Sequence, residues 1–289
     1  MKKLRFVFIL VCFSVVSSSL VFAKSPVWKI SKDGNHLFIG GTIHLLAQSD
    51  YPLPESFAAA YGNSTSLVLE VDLQKVEEPD FQQIMLQKCR YKGKQNIRQF
   101  LNEDTFQALH NHLKNRRMTE EALLKFKPGF LSTILTVVEL QRLGLSGVGV
   151  DKFYCLKALN DKRTIRYLET VDEQVQFIST LGEGNENAFI AYSLNSLKFL
   201  PQTFSAIKDA WRNGEIDRLQ QVALLPWQKQ FPKIYSSIFV QRNKRWIPKI
   251  ETMLQTEEVE LILFGALHLV GEDGILQQLK NSGYTVTNL

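Results

Sequence analysis

The chain has 289 residues, 45% of them hydrophobic and 22% charged, and a formal net charge of +5. That length can bury a substantial core, either as one large domain or as two halves sharing a sheet. No concentrated Lys/Arg face with interleaved aromatics occurs, which argues against a nucleic-acid partner, and three cysteines at unrelated spacing do not form a cysteine-rich zinc site.

The first residues read as a targeting segment. Lys2, Lys3 and Arg5 form a basic head, Phe6 to Val16 is almost wholly apolar, and Val21-Phe22-Ala23 places a small residue before Lys24. Residues 1–23 are therefore expected to be a secretory signal peptide cleaved after Ala23, which makes the protein exported, either periplasmic or secreted. An uncleaved anchor is the competing reading, but the apolar stretch falls short of the roughly 20 residues a spanning helix needs. A membrane enters the expectation only if cleavage fails. Without the three head cations the net charge falls to about +2, so the basic balance is mainly a targeting feature. Cys89 and Cys155 remain. In an oxidising compartment they could form one disulfide, or they could stay as two buried thiols, and spacing does not choose between these.

The domain, residues 24–289, opens with two β-type runs, Pro26 to Ser31 and His36 to Ile39, separated by Lys32-Asp33-Gly34-Asn35. Asp-Gly between such runs signals a hairpin, because glycine takes the positive φ of a tight turn. The second run continues into Gly41-Thr42-Ile43-His44, whereas His36, just after the turn, is expected at the surface. A helix is expected over Glu55 to Tyr61, stopped by Gly62-Asn63. Ser66 to Leu73 reads as a buried strand in which Glu70 stands among apolar neighbours. A carboxylate there must be paired, metal-bound or neutral, unless it points outward beside Asp72 on the same period-two face.

From about 79 to 145 the pattern is mainly helical and reads as an insertion. Phe81, Ile84, Met85 and Cys89 recur at helical spacing, as do Leu101, Phe106, Leu109 and Leu113. His110 and His112 are two apart, so they do not share a helix face and are not a joint ligand pair. Thr119 looks like an N-cap of a helix that Pro128-Gly129 ends, and another helix runs from Phe130 to Gly144. Asp151, after Gly147-Val148-Gly149, is placed to cap the next helix. Those glycines do not match a dinucleotide fingerprint. Arg163 to Thr170 reads as a strand, followed by a helix capped by Thr170 or Asp172, a step typical of a sheet with covering helices.

A polar Gly-rich loop at Gly182 to Asn187 precedes further helical periodicity, through Ala188 to Phe204 and Ile207 to Trp211, and the helix around Ile238 to Trp246 carries Arg242. The apolar run Leu261 to Phe264 then leads to Gly265-Ala266-Leu267-His268, which repeats the Gly-x-x-His spacing of Gly41 to His44. An apolar run closed by glycine and one histidine reads as a buried strand delivering an imidazole at its C-terminal mouth. If both strands share a sheet, the two imidazoles can meet at one ligand, and imidazole is a common transition-metal ligand. A final helix, Ile275 to Asn281, is capped by Gly283, and Tyr284-Thr285-Val286 supplies a closing strand.

Taken in order, Gly41-Thr42-Ile43-His44, Leu69-Glu70-Val71-Asp72, Gly149-Val150-Asp151, Leu168-Glu169-Thr170, Trp211-Arg212-Asn213-Gly214, Arg242-Asn243 and Gly265-Ala266-Leu267-His268 resemble the TraB/PrgY/GumN family, to which the Tiki proteins are related. The resemblance implies an α+β fold similar to the erythromycin-esterase and ChaN-like group, with a mixed central sheet, surrounding helices and the two Gly-x-x-His strands meeting at one site. It implies a metal-dependent hydrolase, most plausibly a peptidase acting on an exported peptide or protein and using manganese or cobalt, with zinc as another option. Carried over by position, it makes His44, Glu70 and His268 the metal residues, Glu70 catalytic, and Arg242 a catalytic and substrate-binding cation. Arg242 in a structural ion pair with Glu70 or Asp72 is the competing reading. A non-catalytic binder of a peptide or signal, as in the pheromone-shutdown relatives, is the alternative function, and a haem or iron role by analogy with ChaN-like proteins is a third. Glu215 stands where relatives often carry Asp, at a position read as a helix cap.

Overall fold

The computed structural model describes residues 24–289, so the signal-peptide reading of residues 1–23 lies outside the described residues. The described residues form eight strands: β1 (Val27–Lys32), β2 (Asn35–Thr42), β3 (Leu45–Leu46), β4 (Ser66–Leu69), β5 (Gly147–Val148), β6 (Thr164–Tyr167), β7 (Glu260–Gly265) and β8 (Thr285–Asn288). Six of them form one mixed sheet in the order β6-β4-β7-β2-β1-β8, and β3 pairs with β5 in a small second sheet. The fold is α+β with surrounding helices, as the family resemblance implies. The Asp33-Gly34 hairpin forms, both residues taking positive φ, with Lys32 opposite Asn35.

Strand direction decides where function can sit. β6, β4, β7 and β2 are mutually parallel, so their C-terminal ends share one edge of the sheet. β1 and β8 complete the far side as antiparallel partners. The two central parallel strands, β4 and β7, are apolar where they cross the core: Leu67, Val68 and Leu69, then Leu261 to Phe264, are all buried. This is the composition of strands covered on both faces. Among the described residues no helix is long and apolar enough to cross a membrane.

Several elements differ from their sequence reading. The strand expected over Ser66 to Leu73 stops at Leu69, because Asp72 instead caps the short helix Leu73–Glu77, accepting from the Gln74 and Lys75 N–H groups. Glu70 thus lies just past a strand rather than within one. Pro128 does not end a helix but occupies the first turn of Pro128–Arg142, where its missing N–H has no intrahelical role. Asp151 makes no capping bond in Val150–Asn160. Gly147-Val148, for which the pattern predicts no strand, pairs with Leu45-Leu46.

The helical region does not pack as the 79–145 segment alone. Ile97, Leu109, Leu113, Phe126, Leu131 and Leu135 share a second core with Phe189, Ile190, Phe231 and Ile234 from much later in the chain. Cys89 and Cys155 are not joined in this structure; both are buried free thiols. Cys155 belongs to the core around the sheet, whereas Cys89 stands at the end of the Pro79–Lys88 helix beside the Met85 thioether.

Candidate functional site

Each of the four parallel strands delivers one chemically active residue just beyond its C-terminus. His44 follows β2, Glu70 follows β4, Glu169 follows β6 and His268 follows β7. Glu70 and Glu169 are neighbours because the sheet pairing runs on for one step: the Glu169 N–H donates to the Glu70 carbonyl. The region outside the carboxyl ends of parallel strands is where open α/β sheets place their ligand sites.

His44, Glu70 and His268 converge around Gly265. A Cβ built on that glycine would stand 3.3 Å from Glu70 Oε1, 3.7 Å from His44 Nε2 and 3.8 Å from His268 Cδ2. The glycine of the second motif thus supplies the space in which the three side chains meet. The Gly265 N–H also donates to Glu70 Oε1 at 2.5 Å.

The two histidines are held in opposite ways. His268 is 4% exposed, lies 4.5 Å from the Trp246 ring centroid, and has its Nδ1 2.6 Å from Asn243 Oδ1. Asn243 donates through its amide nitrogen to the His268 and Asp273 carbonyls. Its oxygen must therefore accept, which fixes the proton on His268 Nδ1 and leaves Nε2 as the acceptor. Arg242 Nη1 donates to that Nε2 at 3.1 Å. Burial and the nearby guanidinium push the His268 pKa down to about 3, against the opposing pull of Glu70.

His44 is the reverse case. Its side chain is 61% exposed and Nδ1 lies 3.1 Å from Asp151 Oδ2. That carboxylate raises the imidazole to about 9. Gly149 makes the approach possible, since a Cβ there would fall 2.3 Å from the His44 carbonyl oxygen. Asp151 is the partner that the sequence reading took for a helix cap.

Arg242 binds the centre together. Its Nε and Nη2 grip both oxygens of Glu169, at 3.0 and 2.6 Å, and Nη2 also donates to Glu70 Oε2 at 2.6 Å. With Nη1 on His268, four of the five N–H groups of the guanidinium have protein acceptors. The ion pair with Glu70 is present; Asp72 is occupied at its helix cap. Glu169 and Arg242 are both buried, and such bidentate charge-assisted bonds are what make burial of the pair tolerable. Burial alone would raise the Glu70 carboxyl, but Arg242 and the Gly265 N–H hold it down, to about 2.

A cleft of about 270 Å³ opens beside these groups. Its walls are aliphatic and aromatic, from Leu69, Val71, Leu73, Val76, Leu263 and Phe264, and its polar groups include Thr42, His44, Glu70 and Asp151. Other histidines stand elsewhere: His110 and His112 pair with Glu120 and Glu139 on the helical layer, and His36 lies beside Phe38. The sequence pattern placed His44, Glu70, His268 and Arg242 near one another but gave no role to Glu169 or Asn243, and it made Asp151 a helix cap. The signal for Glu169 was available, because Leu168-Glu169 repeats the apolar-residue-then-glutamate step of Leu69-Glu70.

Trp211, from another of the ordered motifs, donates its indole N–H to the Gly41 carbonyl at 2.6 Å, and Arg212 donates to the Asp50 and Pro52 carbonyls. These contacts fix the loop that carries His44 away from β2. Comparison with curated proteins and with solved structures gave no match. A family model described as the TraB/PrgY/gumN family matches residues 26–288, from the first strand to the last, and the chain belongs to that family.

Proposed function

We propose that the chain is a metal-dependent hydrolase of peptide bonds, acting on an exported peptide or protein at the C-terminal edge of the parallel strands. The observation that carries this reading is the convergence of His44, Glu70 and His268 around Gly265. Two imidazoles and a carboxylate are the donor set of an open catalytic metal site. Each imidazole is also anchored through Nδ1, His44 by Asp151 and His268 by Asn243, which presents Nε2 as the ligating atom. The donors fit a divalent cation in type and number, with manganese or cobalt favoured by the family resemblance and zinc compatible with the ligands. Such a cation would compete with Arg242 for the His268 Nε2 lone pair and with a proton for His44 Nε2.

When bound, the cation would supply Lewis-acid polarisation of the scissile carbonyl and acidification of a water. The chain's own groups have separate tasks. Arg242 keeps Glu70 anionic, and its remaining Nη1 N–H is the donor through which it could reach a substrate oxygen. Asn243 holds the His268 proton on Nδ1, and burial keeps that ring neutral. Leu73 and Val76 supply aliphatic wall to the cleft. In the overall reaction the water oxygen bonds to the carbonyl carbon, the C–N bond breaks, and the departing amine takes up a proton.

Non-catalytic binding of a peptide or signal is the second reading, and one observation favours it: Arg242 already satisfies His268 Nε2. Manganese or cobalt titration by calorimetry, together with cleavage assays on peptide mixtures, separates the two. The hydrolase reading expects multiple turnovers that need added metal, with metal binding lost in His44→Ala and in His268→Ala. Tight metal binding retained in both variants, or stoichiometric capture of peptide without product, overturns it.

A further inference from the structure

Two described residues of the cleft carry a buried side-chain oxygen without a hydrogen-bond partner, Asp151 at Oδ1 and Thr42 at Oγ1; the other Asp151 oxygen is held by His44, whereas Thr42 has no other polar side-chain atom. Thr42 is 3% exposed. β2 and β7 are parallel with Thr42 opposite Gly265. Residues paired in this way project to the same side of a sheet, since side chains alternate between its faces. The direction in which Gly265 would project a Cβ leads to Glu70, His44 and His268. The Thr42 side chain is therefore directed to the same side, and Thr42 lines the cleft. A buried hydroxyl left unpaired is destabilising, and a ligand group or an ordered water satisfies it. The rest of the cleft wall is largely apolar: Leu69, Val71, Leu73, Val76, Leu263 and Phe264. At about 270 Å³ the space is below the roughly 300–1,000 Å³ of pockets that enclose whole drug-sized ligands. It suits one side chain and its peptide unit.

We propose that Thr42 contacts the substrate directly: its hydroxyl donates to the carbonyl oxygen of a peptide unit whose aliphatic side chain fills the apolar part of the cleft. This rests on the reading of the site as one for peptides. The hydroxyl neutralises no charge and moves no proton. It fixes the carbonyl beside Glu70 and His44, and the cleft selects a medium aliphatic residue over a charged one.

The test uses the full chain with manganese supplied, and the variants Thr42→Val and Thr42→Ser. Binding of N-acetyl-leucine methylamide and of its aspartate counterpart is followed by NMR chemical-shift titration, and turnover by fluorogenic peptides varied at one position. The leucine probe should bind wild type at least tenfold more tightly than the aspartate probe. Thr42→Val should weaken leucine-probe binding about tenfold, as loss of one substrate hydrogen bond implies, and Thr42→Ser should recover most of that loss. Thr42→Val should also unfold at an equal or slightly higher temperature, since its valine has no hydroxyl to leave unpaired. Unchanged leucine-probe binding in Thr42→Val, or equal binding of the two probes, overturns the inference. Binding that behaves as stated while no peptide is cut overturns only the hydrolase reading.

Discussion

The two Gly-x-x-His stretches have the same spacing and end beside the same glycine, yet they create opposite environments. His268 is buried among Trp246, Phe239 and Phe264, and its Nδ1–H donates to the neutral amide oxygen of Asn243. His44 faces solvent, and the charged carboxylate of Asp151 takes the equivalent place. One imidazole is therefore held neutral and the other protonated, with pKa values pushed to about 3 and about 9. A repeated motif fixes where an imidazole is delivered. Its protonation is set by its surroundings, burial lowering the one pKa and the Asp151 carboxylate raising the other.

The sharpest way to break the contrast is through Arg242, which serves the buried histidine and not the exposed one. Arg242→Met would leave Glu169 as an uncompensated buried carboxylate and the partly buried Glu70 with only the Gly265 N–H. A loss of about 3–5 kcal/mol is expected in equilibrium unfolding, the usual consequence of halving a buried ion pair. An effect below about 1 kcal/mol would mean that these carboxylates are better solvated than their burial indicates.

Truncating the histidines comes next in size. His268→Ala opens a cavity beside Trp246 and orphans Asn243 Oδ1, so roughly 2–4 kcal/mol should be lost. His44→Ala removes an exposed ring and should change stability by about 1 kcal/mol or less. Urea midpoints of the two variants measure the asymmetry, and equal losses would dissolve it.

The pH dependence of metal-free protein should show two opposed slopes. As pH falls below 6.5 the unfolded chain protonates His268 while the native state does not until about 3. Stability tied to this group is thus present above 6.5 and declines as pH falls through that window. For His44 the native state keeps its proton up to about 9. Its contribution is complete below 6.5 and lost as pH rises through 9. Imidazole NMR titrations should give the two pKa values on either side of 6.5, and Asn243→Asp should move His268 upward by adding a carboxylate at Nδ1.

The smallest expected effect is that of Asp151→Asn. The His44 pKa should fall towards 6.5, with little change in unfolding midpoint because the ring is exposed. A His44 titration still near 9 would assign the shift to Glu70 rather than to Asp151.

Much of this site was legible in order along the chain, and the parts that were not share a cause. The hairpin follows from Asp33-Gly34, and the buried strands from unbroken apolar runs. Two glycine-histidine steps marked the imidazoles, and a lone glutamate after an apolar run marked Glu70. Asp151 was misread because acids near helix starts normally cap them, and nothing local shows that β3 pairs with β5 and draws His44 alongside. Pro128 was misread because proline punctuates helices at both ends.

The sequence by itself determined which residue types leave the strands and at what spacing, since periodicity and turn chemistry are local properties. The tertiary structure decided that four strands run parallel with their carboxyl ends together, that Arg242 joins Glu70 to Glu169 across 172 and 73 residues of chain, and that one histidine is buried while its counterpart is exposed. Charge pairing and burial depend on distances between segments remote in sequence, and only the folded sheet sets those distances.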